Sequence, residues 1–185
     1  MRYLEIVSFV KDPEYDWPGL CQRLGQTFRM TVQLTWPTLD LEFAYNPARG
    51  QYLSTAMLSK LLEIRNPAAT KSLGITDLDL FIPILTYVFG EAQLGGTVAV
   101  VSGHRLRPSF YGLPDDRDLR QERLIKEAVH ELGHTFGLLH CPNQLCVLAS
   151  STYAENIDNK GTEFCAHCQG LINDALANPQ TWPRP

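Results

Sequence analysis

The chain has 185 residues, of which 44% are hydrophobic and 19% charged, and it carries a formal net charge of −4. That length suits one domain with a real core, and the balance excludes a disordered or fibrous chain. The slight acidity, with no clustered Lys and Arg, argues against nucleic acid as a partner, because phosphate binding relies on such clusters.

Residues 2–10 are rich in β-formers and lack the basic start and cleavage site of a signal peptide, so they are expected to form a strand. Pro13 and Pro18 break that strand before an amphipathic helix over 17–28, and a second strand is expected at 30–36, ended by Pro37. Asn46-Pro47 marks a loop, after which Tyr52, Leu53, Ala56, Met57, Ser59, Lys60 and Leu61 give helical spacing over 50–65. Beyond a turn at Asn66-Pro67, strands are expected at 77–82, 87–92 and 97–102, the last two joined as a hairpin through Leu94-Gly95-Gly96. The longest apolar runs, such as 81–89 with its Pro83, are far too short to span a membrane. A soluble, cytoplasmic chain with no membrane partner is the expectation.

A polar stretch at 115–121 leads to a long helical pattern over 122–139, with Leu124, Ile125, Ala128, Val129, Leu132, Phe136 and Leu139 apolar. Residues 141–162 show little periodicity, and 165–177 reads as a short terminal helix before a Pro-rich tail.

The chemistry sits on the long helix, in the run His130-Glu131-Leu132-Gly133-His134-Thr135-Phe136-Gly137-Leu138-Leu139-His140. Residues four apart share a helix face, so His130 and His134 can aim at one zinc ion at about 2.0–2.1 Å. Glu131, one residue round, can act as general base toward a zinc-bound water. On a continuous helix His140 would lie about 15 Å beyond His130, so the helix must stop and turn, and Gly137 is the residue that permits it. Three histidines with one open position make a catalytic rather than a structural site. By independent composition the two-histidine motif alone arises on the order of once in 100 such chains. Adding Gly137 and His140 lowers that to about 1 in 100,000, which decides against incidental helix histidines.

Directly after His140 come Cys141 and Cys146, and then Cys165 and Cys168. Two close pairs separated by a loop are what a tetrahedral four-thiolate zinc site needs, and such a site would fasten a segment with too few apolar residues to order itself. The rival readings are a redox pair at Cys165 and Cys168, for which no βαβ pattern is present, and plain buried thiols. His167 is expected to be exposed or to support the cysteine site, Cys21 to be a core thiol, and His104 to lie at the surface.

The run from His130 to His140, followed at once by Cys141, Cys146 and the pair Cys165 and Cys168, resembles the archaemetzincins, intracellular members of the metzincin clan. The stretch 88–102 is similar to that family as well. The resemblance implies an α+β, metzincin-like fold: a mixed twisted β-sheet with two backing helices, an active-site helix, and a small C-terminal lobe with a structural zinc. It implies a single catalytic domain over 1–185, with an upper lobe at about 1–137, a lower lobe at about 138–185 and the cleft between them. It further places 96–102 near the upper rim, where an extended substrate could add as a strand. One departure is Leu148, which stands where the family carries a methionine beneath the zinc. Leucine keeps an apolar floor of similar size.

The expected function is therefore a zinc metallopeptidase, monomeric, with two zinc ions per chain and a peptide or protein as substrate. The chain starts at its first strand with no latency segment in view, so restraint is expected from narrow specificity. A zinc-containing peptide-binding protein with little or no proteolysis is the alternative, and a hydrolase of small amides is a third.

Overall fold

The computed structural model describes residues 2–10 and 14–178; Pro13 and the Pro-rich tail lie outside them. The elements are β1 (Tyr3–Ser8), α1 (Trp17–Phe28), β2 (Thr31–Thr35), β3 (Tyr45–Asn46), β4 (Gln51–Leu53), α2 (Ser54–Ile64) and β5 (Lys71–Thr76). They continue with β6 (Leu80–Phe81), β7 (Gly90–Ala92), β8 (Val98–Ser102), α3 (Arg117–Thr135), α4 (Ala154–Asn159) and α5 (Ala166–Ala177).

Local chemistry sets the helix ends. The Asp16 carboxylate accepts a hydrogen bond from the Gly19 amide at the start of α1, and Arg29 closes that helix in the left-handed region at φ 51°. The Asp116 carboxylate does the same for α3 by accepting from Leu119 N at 2.9 Å.

The main sheet has the order β2-β1-β5-β8-β7, parallel except for β7, which runs antiparallel to β8. Its inner strands are buried on both faces, as mostly parallel sheets require. Leu4, Ile6, Leu73, Ile75, Ala99 and Val101 point to one face, where they pack with α1 and α3. Val7, Val98 and Val100 point to the other and meet Met57, Leu58 and Leu61 of α2. The backing helices α1 and α2 thus lie on opposite faces, and the architecture is the mixed-sheet α+β fold the resemblance implies. β3, β4 and β6 form a separate small sheet. Among the described residues no helix is long and apolar enough to cross a membrane.

Several boundaries differ from the sequence expectation. Central strand β5 was hidden in Lys71-Ser72-Leu73-Gly74-Ile75-Thr76, whose polar residues find distant partners: Ser72 Oγ donates to Glu5 at 2.8 Å, and Lys71 Nζ donates to Gly96 O and Thr135 O. The strand expected at 77–82 shrinks to β6, and α2 begins at Ser54 because 51–53 is paired as β4. Helix α3 starts at Arg117 and ends at Thr135; Arg120, Arg123 and Lys126 in it are buried, Arg123 through an ion pair with Asp158 at 2.6 Å, so charge at those positions does not mark solvent. The run 96–102 is not a rim either, since β8 is paired on both sides. Finally, Cys146, Val147, Leu148, Ile157, Phe164 and Ile172 all join the larger core, so the segment after His140 holds more apolar anchors than its irregular spacing suggests.

Candidate active site

Helix α3 carries His130 and His134 on one face and then stops. Phe136 and Gly137 N–H groups bond back to Gly133 O and His134 O, and Gly137 takes φ +88°, where an L side chain is strained. The Phe136 ring stacks on Phe28 with centroids 5.3 Å apart, which fixes the exit. The chain then reverses and brings His140 back beside the first two histidines.

The structure assembles all three expected histidines: one ring nitrogen from each lies within 4.8 Å of the others. His130 Nδ1 is 2.9 Å from Val147 O and His134 Nδ1 is 2.6 Å from Leu138 O. Each carbonyl holds the proton on Nδ1, so the Nε2 lone pairs face inward. Those two Nε2 atoms are 3.0 Å apart. Two corners of a tetrahedron with Zn–N bonds of about 2.0–2.1 Å lie roughly 3.3 Å apart, so the set fits a zinc ion. Burial holds all three imidazoles below the usual histidine pKa, with Lys160 adding to the effect at His130, and neutral rings are what a metal requires.

The four expected cysteines also converge, with sulfur atoms within 4.8 Å of one another and Cys141 and Cys165 Sγ 3.7 Å apart. Zn–S bonds of about 2.3 Å in a tetrahedron put sulfurs roughly 3.75 Å apart, so this set fits a closed zinc site. The Cys168 backbone N–H lowers the Cys165 thiol to about 7, toward the thiolate a metal takes up. His167 is exposed beside the cluster. Cys21 is half-buried against the core, and His104 is half-buried with Nδ1 3.2 Å from Asp77 O.

Glu131 faces a cleft of about 620 Å³ that it shares with His134 and His140. The upper wall is Tyr87, Val88, Phe89 and Gly90; the lower is 150–153. The carboxyl of Glu131 is buried, and burial first, then the charge of Glu127, push its pKa well above the usual carboxylate range. Zinc beside it would act against that shift.

Sequence reasoning missed three residues here. Gly90 makes room for Glu131: a Cβ on it would lie 2.7 Å from Glu131 Cγ and 2.6 Å from Val100 O. Glu127 lines the cleft one turn before Glu131 and pairs with Lys160 at 2.8 Å. Helical spacing could have placed Glu127 on the face of His130 and Glu131. Lys160 arrives from the end of α4, and no motif marks it. Leu148 lies under the site as a fully buried floor, where a Cβ added at Gly133 would stand 3.0 Å from its Cδ2.

Converging imidazoles and a buried carboxylate in an open cleft, on this mixed α+β scaffold, define a metallohydrolase. A model of peptidase family M54 matches residues 38–174, and the chain belongs to that family, the archaemetzincins, as a zinc metallopeptidase. The archaemetzincin of Methanocaldococcus jannaschii is 38% identical over 171 residues, covering 92% of this chain and 87% of that protein. The one from Thermococcus kodakarensis is 40% identical over 166 residues, with coverages of 89% and 84%. Among solved structures, archaemetzincin from Methanopyrus kandleri superposes with a TM-score of 0.82 at 35% identity, over 95% of this chain and 96% of that one. A zinc-dependent peptidase from Methanocorpusculum labreanum gives 0.79 at 29% identity, over 94% and 100%.

Proposed function

We propose that the chain hydrolyses peptide bonds with Glu131 as general base beside a zinc held by His130, His134 and His140. A second, structural zinc is held by Cys141, Cys146, Cys165 and Cys168. The observation that carries this reading is the convergence of three histidine nitrogens in the cleft that Glu131 also lines.

Zinc, when bound, supplies a Lewis acid that polarises a carbonyl and makes water acidic near neutrality. Glu131 takes the proton from the attacking water and returns it to the departing amine, a task suited to a carboxylate whose burial raises its basicity. Gly90 keeps Glu131 in place by offering no side chain. The segment 86–90 forms the upper rim against which an extended peptide lies, and the walls exclude water from the reacting atoms.

The enzyme acts as a cytoplasmic monomer on peptide or protein substrates and has no nucleic-acid or membrane partner. Its lobes, about 1–137 and 138–185, form a single domain, which is supported by the apolar cluster that runs through both.

Glu131→Gln tests the mechanism. Turnover should fall by about 10²–10⁴-fold, the usual contribution of a general base, with zinc content unchanged. Hydrolysis of a confirmed substrate at the wild-type rate would remove Glu131 from that role.

A further inference from the structure

The cleft holds polar groups that hydrolysis does not use. Ser151 Oγ, on a residue lining this cleft, is a buried side-chain atom with no hydrogen-bond partner among the described residues, and the carboxylate-bearing Glu127 lines the same cleft. Glu127 Oε1 lies 2.8 Å from Lys160 Nζ, a buried ion pair that compensates its charge. Lys160 is itself buried and donates to Ala149 O at 3.3 Å, so it braces the carboxylate from behind and does not line the cleft. A carboxylate has room for about four donors, and one neighbour leaves most of that capacity open.

The other lining residues define what could reach those groups. Ile82, Leu85, Tyr87, Val88, Phe89 and Tyr153 supply apolar walls, and no Lys or Arg among the described residues lines the cleft. A long aliphatic stem would bury against such walls while a cationic tip met the carboxylate and hydroxyl. An acidic side chain would meet two carboxylates, Glu127 and Glu131, with only the zinc of the proposed site to offset them.

Resting on the peptidase reading above, we infer that this cleft selects peptides with a Lys or Arg next to the scissile bond, with Glu127 and Ser151 as its specificity-determining residues.

The test separates binding from turnover. The full-length, zinc-loaded Glu131→Gln chain is titrated with hexapeptide mixtures in which one position at a time is fixed as Lys, Arg, norleucine or Glu. At one position Lys and Arg should bind about tenfold more tightly than norleucine, and Glu most weakly, as a charge-assisted contact implies. Adding Glu127→Gln should level Lys with norleucine; adding Ser151→Ala should narrow the gap partway. Ser151→Ala leaves the buried pair of Glu127 and Lys160 intact, so it reads the same site if the Glu127 variant does not fold. Equal binding of Lys and norleucine at every position, or a preference unmoved by either substitution, overturns the assignment. Wild-type cleavage of the preferred mixture is scored separately: basic selectivity in binding without any cleavage would refute the peptidase reading and leave the specificity standing.

Discussion

His140 and Cys141 are adjacent, yet the clusters they belong to are held together in different ways. The histidine set is built on α3, which Leu124, Ala128, Val129 and Leu132 bury against the sheet, and two of its rings are locked by backbone carbonyls. The cysteine set takes Cys141 and Cys146 from the stretch without helix or strand between α3 and α4, and Cys165 and Cys168 from the start of α5. Cys141 N donates to Leu148 O and Cys165 N donates to Cys146 Sγ, while Val147, Leu148 and Phe164 anchor the intervening chain in the core. The first site is prepared by the fold before a metal arrives. The second, on the proposed reading, is a part of the fold that a metal completes. The two also depend on one another unequally, because the Val147 carbonyl that orients His130 comes from the cysteine-bound stretch.

The largest effect should come from testing that asymmetry. Cys146→Ser should cost the sulfur-bound zinc and loosen 141–165, a loss bounded by the roughly 10–16 kcal/mol that structural zinc sites contribute in small domains. With Val147 displaced, the histidine zinc should weaken too. His134→Ala should cost only the histidine zinc and leave 141–165 ordered. Zinc content per chain and hydrogen exchange of the 141–165 amides would show it. Equal exchange in the two variants would break the comparison.

Gly90→Ala probes how tightly the prepared site is built. The new methyl would collide with Glu131 and with the Val100 carbonyl, and backbone cannot yield as a side-chain tip can. Displacement of the base by about 1 Å should cost on the order of 100-fold in kcat. Zinc content should stay at the wild-type level. Activity within twofold of wild type would show that Glu131 has slack that the packing denies.

A smaller effect should appear in the pH dependence of the zinc-free chain. Burial lowers the pKa of His130, His134 and His140 below 6.5, so as the pH falls below 6.5 the unfolded chain takes up protons that the folded chain refuses. Stability therefore rises with pH up to about 6.5 through these groups. Glu131 has the opposite sign: its raised folded pKa keeps a proton that the unfolded chain releases above 4.5, so it removes stability as the pH rises. Thermal melts of the chelated chain should fall toward acid, and Glu131→Gln should steepen that fall. A flat profile for both would mean that the histidines are solvated without metal.

What the sequence disclosed follows the same division. Both clusters were legible because metal ligands must recur at fixed intervals on a helix or a tight turn, and those intervals survive in the one-dimensional chain. Gly137 was legible for a similar reason, as the one residue able to end the helix between His134 and His140. Strand β5 was not, since Lys71 and Ser72 are satisfied by Thr135, Gly96 and Glu5, none of which is a sequence neighbour. Nor was Lys160, whose buried charge makes sense only beside Glu127. The anchor Ile157 was missed because α4 is too short to show a period, and Phe164, which meets Phe28 edge-on at 6.1 Å, because an irregular segment buries side chains without one.

Leu148 is where the two regions touch, and it should give the smallest effect. It belongs to the cysteine-bound stretch, is fully buried, and packs under Gly133, between the two helical histidines. If the floor beneath the site acts only by filling space, an unbranched thioether of similar volume should serve as well as a branched hydrocarbon. Leu148→Met should then change stability by less than about 1.5 kcal/mol, the usual limit for volume-conserving core exchanges. Zinc content should be unchanged, and turnover should stay within a few-fold of wild type, since the side chain offers no group to the reaction. A large gain in turnover at unchanged stability would give the sulfur a role that packing does not supply. A large loss of stability would mean that Gly133 and Leu148 fit too closely for a flexible side chain, and that the helix and the loop beneath it have adjusted to one another.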